Sequence, residues 1–164
     1  MKKSVFLAGL VLFSASAFAS DWQATYFQAH KGQLLVDKDS IVDEKASSKK
    51  FWTVFAPMVN VGQGGEGYSY SKTLRSINCD ARTYGIISTV YYDDQERAHE
   101  AEVQDKLMKD IVPDTENDYL WKYVCKGDRD GKLAAPAGSI EKWLAGQAKM
   151  NRENKELISR TQGK

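Results

Sequence analysis

The chain is poor in the residues that most often carry chemistry: two cysteines, two histidines and three prolines in 164 residues. Without a Cys-x-x-Cys pair, thiol–disulfide exchange has no motif to run on. His30 and His99 lack a second ligand at metal-binding spacing, and "HEAE" from His99 lacks the second histidine of a zinc helix. No metal and no cofactor is therefore expected. Neither a G-x-S-x-G elbow nor an active-site cysteine pattern occurs. Paired acids such as Asp93-Asp94 follow a strand and read as a turn. The chain is expected not to be an enzyme, with a small hydrolase whose acids converge only in space as the remote alternative. Charge of one sign is lacking too, since 23 Lys and Arg face 22 Asp and Glu. That balance gives no electrostatic case for nucleic acid or an anionic membrane.

Long apolar runs are confined to the start. Lys2 and Lys3 precede an apolar stretch from Val5 to Phe13, and "AFA" (Ala17 to Ala19) supplies the small–x–small pattern of a signal-peptidase site. The stretch is too short for a spanning helix, and no later segment approaches ~18 apolar residues. The expectation is an exported chain, cleaved to begin at Ser20, either periplasmic or at the cell surface. No cysteine follows the cleavage pattern, so no lipoprotein anchor is expected. Residues 1–19 are read as the leader, 20–126 as the folded body, 127–138 as a linker, and 139–164 as a C-terminal helix and tail.

Within the body, "TYFQAH" and "GQLLVD" read as strands meeting near Lys31-Gly32. In "KFWTVFAPMVN", Trp52, Val54 and Met58 share one face while Phe51, Phe55 and Val59 share the other, so both sides are covered. Pro57 cannot donate to a ladder and suggests an edge or a bulge. "GYSYSKTLRSINC" shifts its apolar set from even to odd positions, which predicts an extra residue near Arg75-Ser76. "TYGIISTVYYD" follows after a turn at Cys79-Asp80-Ala81-Arg82. "PDTENDYLWKYVCK" reads as a helix with Thr115 as N-cap and Asp118 completing a capping box. Leu120, Trp121, Val124 and Cys125 form its apolar stripe, and Gly127 stops it. A second helix begins after Ser139 with a stripe of Ile140, Trp143, Leu144 and Ala148, while "NRENKE" beyond it is expected to fray or lie on solvent. The fold class is α+β: an antiparallel sheet of about six strands, a helix on one face, and a C-terminal amphipathic helix.

Several local patterns read as structure rather than chemistry. "VGQGGEGYS", with Gly64 and Gly65 at its centre, leads into a strand and not into the helix N-terminus a phosphate loop needs, so it reads as a hairpin tip and a contact loop. "KGDRDGK" misses the first carboxylate of a calcium loop. Tyrosines are frequent, and Tyr68, Tyr70, Tyr91 and Tyr92 are the candidate binding surface. Tyrosine is enriched at interfaces but is also a good strand former. Two cysteines in an exported chain suggest a Cys79–Cys125 disulfide, against free buried thiols or intermolecular bridges.

The ordered set Asp37, Ile41, Trp52, Ser71, Ile77-Asn78-Cys79, Tyr92-Asp93 and Pro113-Asp114-Thr115 ahead of Cys125 resembles the bacterial surface-adhesin protein E family over residues 34–126. The resemblance implies an antiparallel sheet with a helix tethered by a Cys79–Cys125 bridge. It also implies a non-enzymatic surface protein that binds a protein partner of the host, from the extracellular matrix or plasma, with a homodimer allowed. The alternative is a periplasmic envelope-accessory protein that docks a partner through its C-terminal helix.

Overall fold

The computed structural model describes residues 20–28, 32–57, 67–101, 107–128 and 139–162. Residues 1–19, expected to be a leader, Lys31, Met58, Val59, Gly64, Gly65 and residues 129–138 of the expected linker lie outside these. One antiparallel sheet dominates, built of β1 (Trp22–Gln28), β2 (Gly32–Asp37), β3 (Val42–Asp43), β4 (Ser48–Ala56), β5 (Tyr70–Asn78), β6 (Thr83–Tyr92), β7 (Ala98–Ala101) and β8 (Lys109–Asp110). Its order is β1-β2-β4-β5-β6-β7, with β3 beside β4 and β8 beside β6. Six strands thus form the main path and two short ones are added to it.

Two helices cover the two faces. α1 (Glu116–Lys126) lies on the face of Leu34, Val36, Phe51 and Ile77, where Leu120, Tyr123 and Val124 complete the core. α2 (Ile140–Gln162) brings Ile140 and Leu144 onto the opposite face, against Leu35, Val54, Ala56 and Tyr70. Adjacent residues point to opposite sides of a sheet, so Leu34, Leu35 and Val36 are all fully buried in one run. None of the described helices is long and apolar enough to cross a membrane.

Four local expectations change. β4 lies inside the sheet, and Pro57 falls just past its end rather than marking an edge. The extra residue sits on β6, where Leu74 pairs with Ser88 and Arg75 with Ile86, leaving Ile87 between them. β5 itself never changes face. Its odd residues Ser71, Thr73, Arg75 and Ile77 stay towards α1, and both faces are apolar because both are covered. Thr115 holds the N-cap position of α1 as expected, but its side chain makes no capping bond, because its hydroxyl donates to the Val112 carbonyl at 2.7 Å. Asp118 instead reaches back to accept from the Asp114 N–H at 3.1 Å. Finally, the polar end of α2 lies on solvent from Arg152 to Glu156 as expected, but it does not fray and is held to the sheet. Asn151 is fully buried, Lys155 reaches the Asp94 carboxylate at 2.7 Å, and Arg152 donates to the Asp94 carbonyl.

Gly32 is fixed by its surroundings. Its φ of +143° is outside the range an L side chain adopts readily, and a Cβ there would collide with the Ala56 carbonyl oxygen. The end of β4 can pass close to the start of β2 only because no side chain intervenes.

Candidate protein-binding surface

Two opposite ends of β5 carry the features that sequence singled out. At the Asn78 end, Cys79 and Cys125 are joined, with Cα atoms 5.5 Å apart, and none of the described cysteines is free. Trp121 Nε1 donates to the Cys79 carbonyl at 3.1 Å, so the same helical turn is tied to the same strand end by a second bond. The Arg82 guanidinium lies 4.4 Å from the Trp121 ring centre, and Lys126 lies 5.0 Å from it.

Asp118, legible in the sequence only as a capping-box residue, is the polar centre of this end. It is buried, and it pairs with Arg82 at 2.6 Å and Lys122 at 2.9 Å. Burial works against its charge. The hydrogen bonds from Lys122 and the Asp114 N–H, with the Lys122 and Arg82 charges, outweigh that and hold its carboxyl below the ordinary range. The Asp118 hydrogen bond in turn raises Lys122. Arg75 makes a parallel link. Its guanidinium reaches Glu116 at 2.8 Å, Asn117 at 3.1 Å and Thr53 Oγ1 at 3.1 Å, crossing from sheet to helix. These groups bind one another and have a structural part.

At the Tyr70 end the four candidate tyrosines separate into two ring pairs. Tyr70 and Tyr92 stack at 4.5 Å on the face that α2 covers. Tyr70 is only 5% exposed, so it is a core residue and not part of an open contact surface. Burial, then the neighbouring Tyr92 and Glu96, push its phenol up to about 12. Tyr92 is half-buried beside it, with Lys72 Nζ 5.7 Å from its ring centre. Tyr68 and Tyr91 meet on the other face at 4.7 Å with their rings tilted by 50°, both half-buried. Ser69 between them and Tyr70 donates its N–H to the Tyr92 carbonyl at 2.7 Å, which fixes the entry into β5.

Among the described acids, Asp93 and Asp37 each organise a turn. Asp93 organises the β6–β7 turn by accepting from the N–H groups of Gln95 and Arg97 at 2.9 Å each, with Arg97 Nε and His99 on its other oxygen. Desolvation opposes its charge, but these bonds hold its carboxyl well below the usual range. Asp37 is raised, chiefly by burial, and its carboxylate accepts from the Asp39 N–H at the 3₁₀ turn Lys38–Ser40. No group of three or more His, Cys, Asp or Glu among the described residues could hold a metal ion.

Among solved structures the chain is similar to Haemophilus influenzae protein E. Crystal form II of that protein shares 16% identity, covering 66% of this chain and 96% of the other, with a TM-score of 0.46. A structure from non-typeable Haemophilus influenzae shares 15% identity over 80% of this chain and 95% of the other, with a TM-score of 0.45. No curated protein matches. The family model "Surface-adhesin protein E" matches residues 22–126, the whole sheet together with α1 and both cysteines, and the chain belongs to that family.

Proposed function

We propose that this chain is an exported, non-enzymatic surface adhesin that binds a host protein of the extracellular matrix or plasma. The observation that carries the reading is the family match over residues 22–126, which spans the sheet and its helix from end to end. In this reading residues 1–19 are a leader removed on export, 127–138 a linker, and 139–164 a helix that belongs to the body. The contact surface is Tyr68 and Tyr91, with the loop of Gly64 and Gly65 that precedes them in sequence. What supports it is their partial exposure at the end of β5 away from the Cys79 junction. A large ring with a hydrogen-bonding tip is suited to such a contact. The envelope-accessory alternative requires the apolar stripe of α2, and Ile140 and Leu144 of that stripe lie on the chain's own sheet.

Solid-phase binding of the purified mature protein to a panel of matrix and plasma proteins tests the proposal. Saturable binding that weakens in a Tyr68→Ala/Tyr91→Ala variant of unchanged melting temperature is expected. Binding no stronger than that of an unrelated exported protein would refute it. Protein found only in the periplasm of fractionated cells would also refute surface display. A homodimer is compatible with the reading, because β1 ends the path of the sheet, and light scattering decides it.

A further inference from the structure

We propose that cleavage of the leader leaves Ser20 as an amino terminus whose ammonium pairs with the carboxylates of Asp37 and Asp39, so that processing itself fastens β1 to the sheet. The inference rests on the export reading, and its geometric support comes from the described residues. The chain entering β1 is already held at this corner. Lys38 N–H donates to the Asp21 carbonyl at 2.8 Å, and Asp21 N–H donates to Asp39 Oδ2 at 3.1 Å. The Ser20 side chain hydrogen-bonds the Asp37 carboxylate. The first residue after "AFA" therefore lies against Asp37, and the next residue's amide against Asp39, before any cleavage occurs.

The charges at this corner are unbalanced. Asp21, Asp37 and Asp39 bring three carboxylates together, and the ion pair among them is Lys38 to Asp21 at 3.1 Å. Asp37 is 7% exposed, and the donors that reach its carboxylate are uncharged. A carboxylate so buried favours a cationic partner, and neither Asp37 nor Asp39 has one among the described residues. In the uncleaved chain the Ser20 nitrogen is an amide with no charge. Hydrolysis of the Ala19–Ser20 bond breaks C–N, places the water oxygen on the Ala19 carbonyl carbon as a carboxylate, and leaves both water protons on the Ser20 nitrogen. The resulting ammonium carries the missing charge and two further donors to a place the fold already fixes. β1 benefits most, because it is the terminal strand of the path and is paired on the sheet side by β2 alone.

The experiment uses protein exported and processed by cells, with its first residue read by mass spectrometry. In the Ser20-started protein the α-amine should titrate at least about half a unit above its ordinary ~7.7–8.0, followed by NMR or by the pH dependence of its acylation. Asp39→Asn and Asp37→Asn/Asp39→Asn variants should return it to the ordinary value. Acetylating the amine should lower the melting temperature of the wild type by about 2–4 °C and leave that of the Asp39→Asn variant less affected. This difference cannot arise from a folding defect of the variant alone. An unshifted amine, or acetylation without effect on melting, overturns the pairing while the export reading stands. An exported protein beginning at another residue overturns the Ser20 terminus and the pairing with it, and a protein that keeps its leader overturns the export reading as well.

Discussion

Replacing Cys79 and Cys125 together by alanine is the perturbation whose size follows most directly from the structure. The bridge closes a loop with a sequence separation of 46. On the chain-entropy relation the denatured state loses about 13–14 cal/mol/K by that closure, or about 4 kcal/mol at 25 °C. A domain of this size loses about 2–4 °C of melting temperature per kcal/mol, so the variant should melt about 8–16 °C lower. It should still fold, because α1 keeps its buried Leu120, Tyr123 and Val124, the Asp118 ion pairs and the Trp121 bond to the Cys79 carbonyl. Calorimetry of the double variant beside oxidised and reduced wild type is the assay. A double variant is needed because a single one leaves a lone reactive thiol. Reduced wild type should melt with the variant, and a thiol titration of denatured, unreduced wild type should find none. A variant melting within about 3 °C of the oxidised protein would refute the reasoning, since the denatured loop would then gain almost no freedom from the missing link.

Four further outcomes test the rest of the framework. Asp118→Ala should cost about 1.5–3 kcal/mol, the range for hydrogen bonds to a charged group. The figure stays moderate because Arg82 and Lys122, at 43% and 40% side-chain exposure, can turn to water. Because the folded carboxyl of Asp118 is held low, its stabilisation is present above the unfolded value near ~4 and is lost as pH falls through the folded value. Urea midpoints from pH 6 downwards should therefore fall less steeply in Asp118→Asn than in wild type. Gly32→Ala should lose about 1–3 kcal/mol through backbone strain alone, and a melting temperature equal to wild type would contradict the close approach to Ala56. Leu144→Asp should release α2 while the disulfide-bonded body remains folded, seen as proteolysis within residues 129–164 and a rise in binding of an apolar dye. Undiminished protection of that segment would show that α2 is not held by its stripe.

The strands, the turn at Cys79–Arg82, the helix bearing Cys125 and its stop at Gly127 were legible because each depends on local chemistry. Period-2 apolar runs, a short polar turn and a left-handed glycine at φ 65° act within a few residues. The errors share another cause. The face shift read in β5 assumed a sheet with one wet side, whereas α1 and α2 bury both sides, so Tyr70 and Ile77 are core residues of opposite faces. The true extra residue, Ile87, stands next to Ile86 in "GIIST", where two adjacent apolar residues give periodicity no means to locate it. Asp118 was read as a cap because only local partners are visible in a sequence, and Arg82 is 36 residues away. The docking of α2 by Arg152 and Lys155 on Asp94 joins residues 58 and 61 apart, and nothing local announces it.

On the proposed reading, the coverage of both faces also limits where a partner can bind. Interaction with a partner requires surface that folding has not already consumed, and the centre of the sheet is occupied by α1 on one side and α2 on the other. Tyrosine count alone made four residues equal candidates. Ring contacts and α2 separate them, since Tyr70 and Tyr92 stack beneath the second helix while Tyr68 and Tyr91 meet on the other face. The Cys79 end is rigid in a different way, its charged and aromatic side chains already paired with one another around Asp118 and Trp121. A rigid end and a tyrosine end on one strand suit a binding domain. The disulfide and the Asp118 ion pairs hold β5 in place at one end, and a contact made at the other end then meets a surface whose order has already been established by folding.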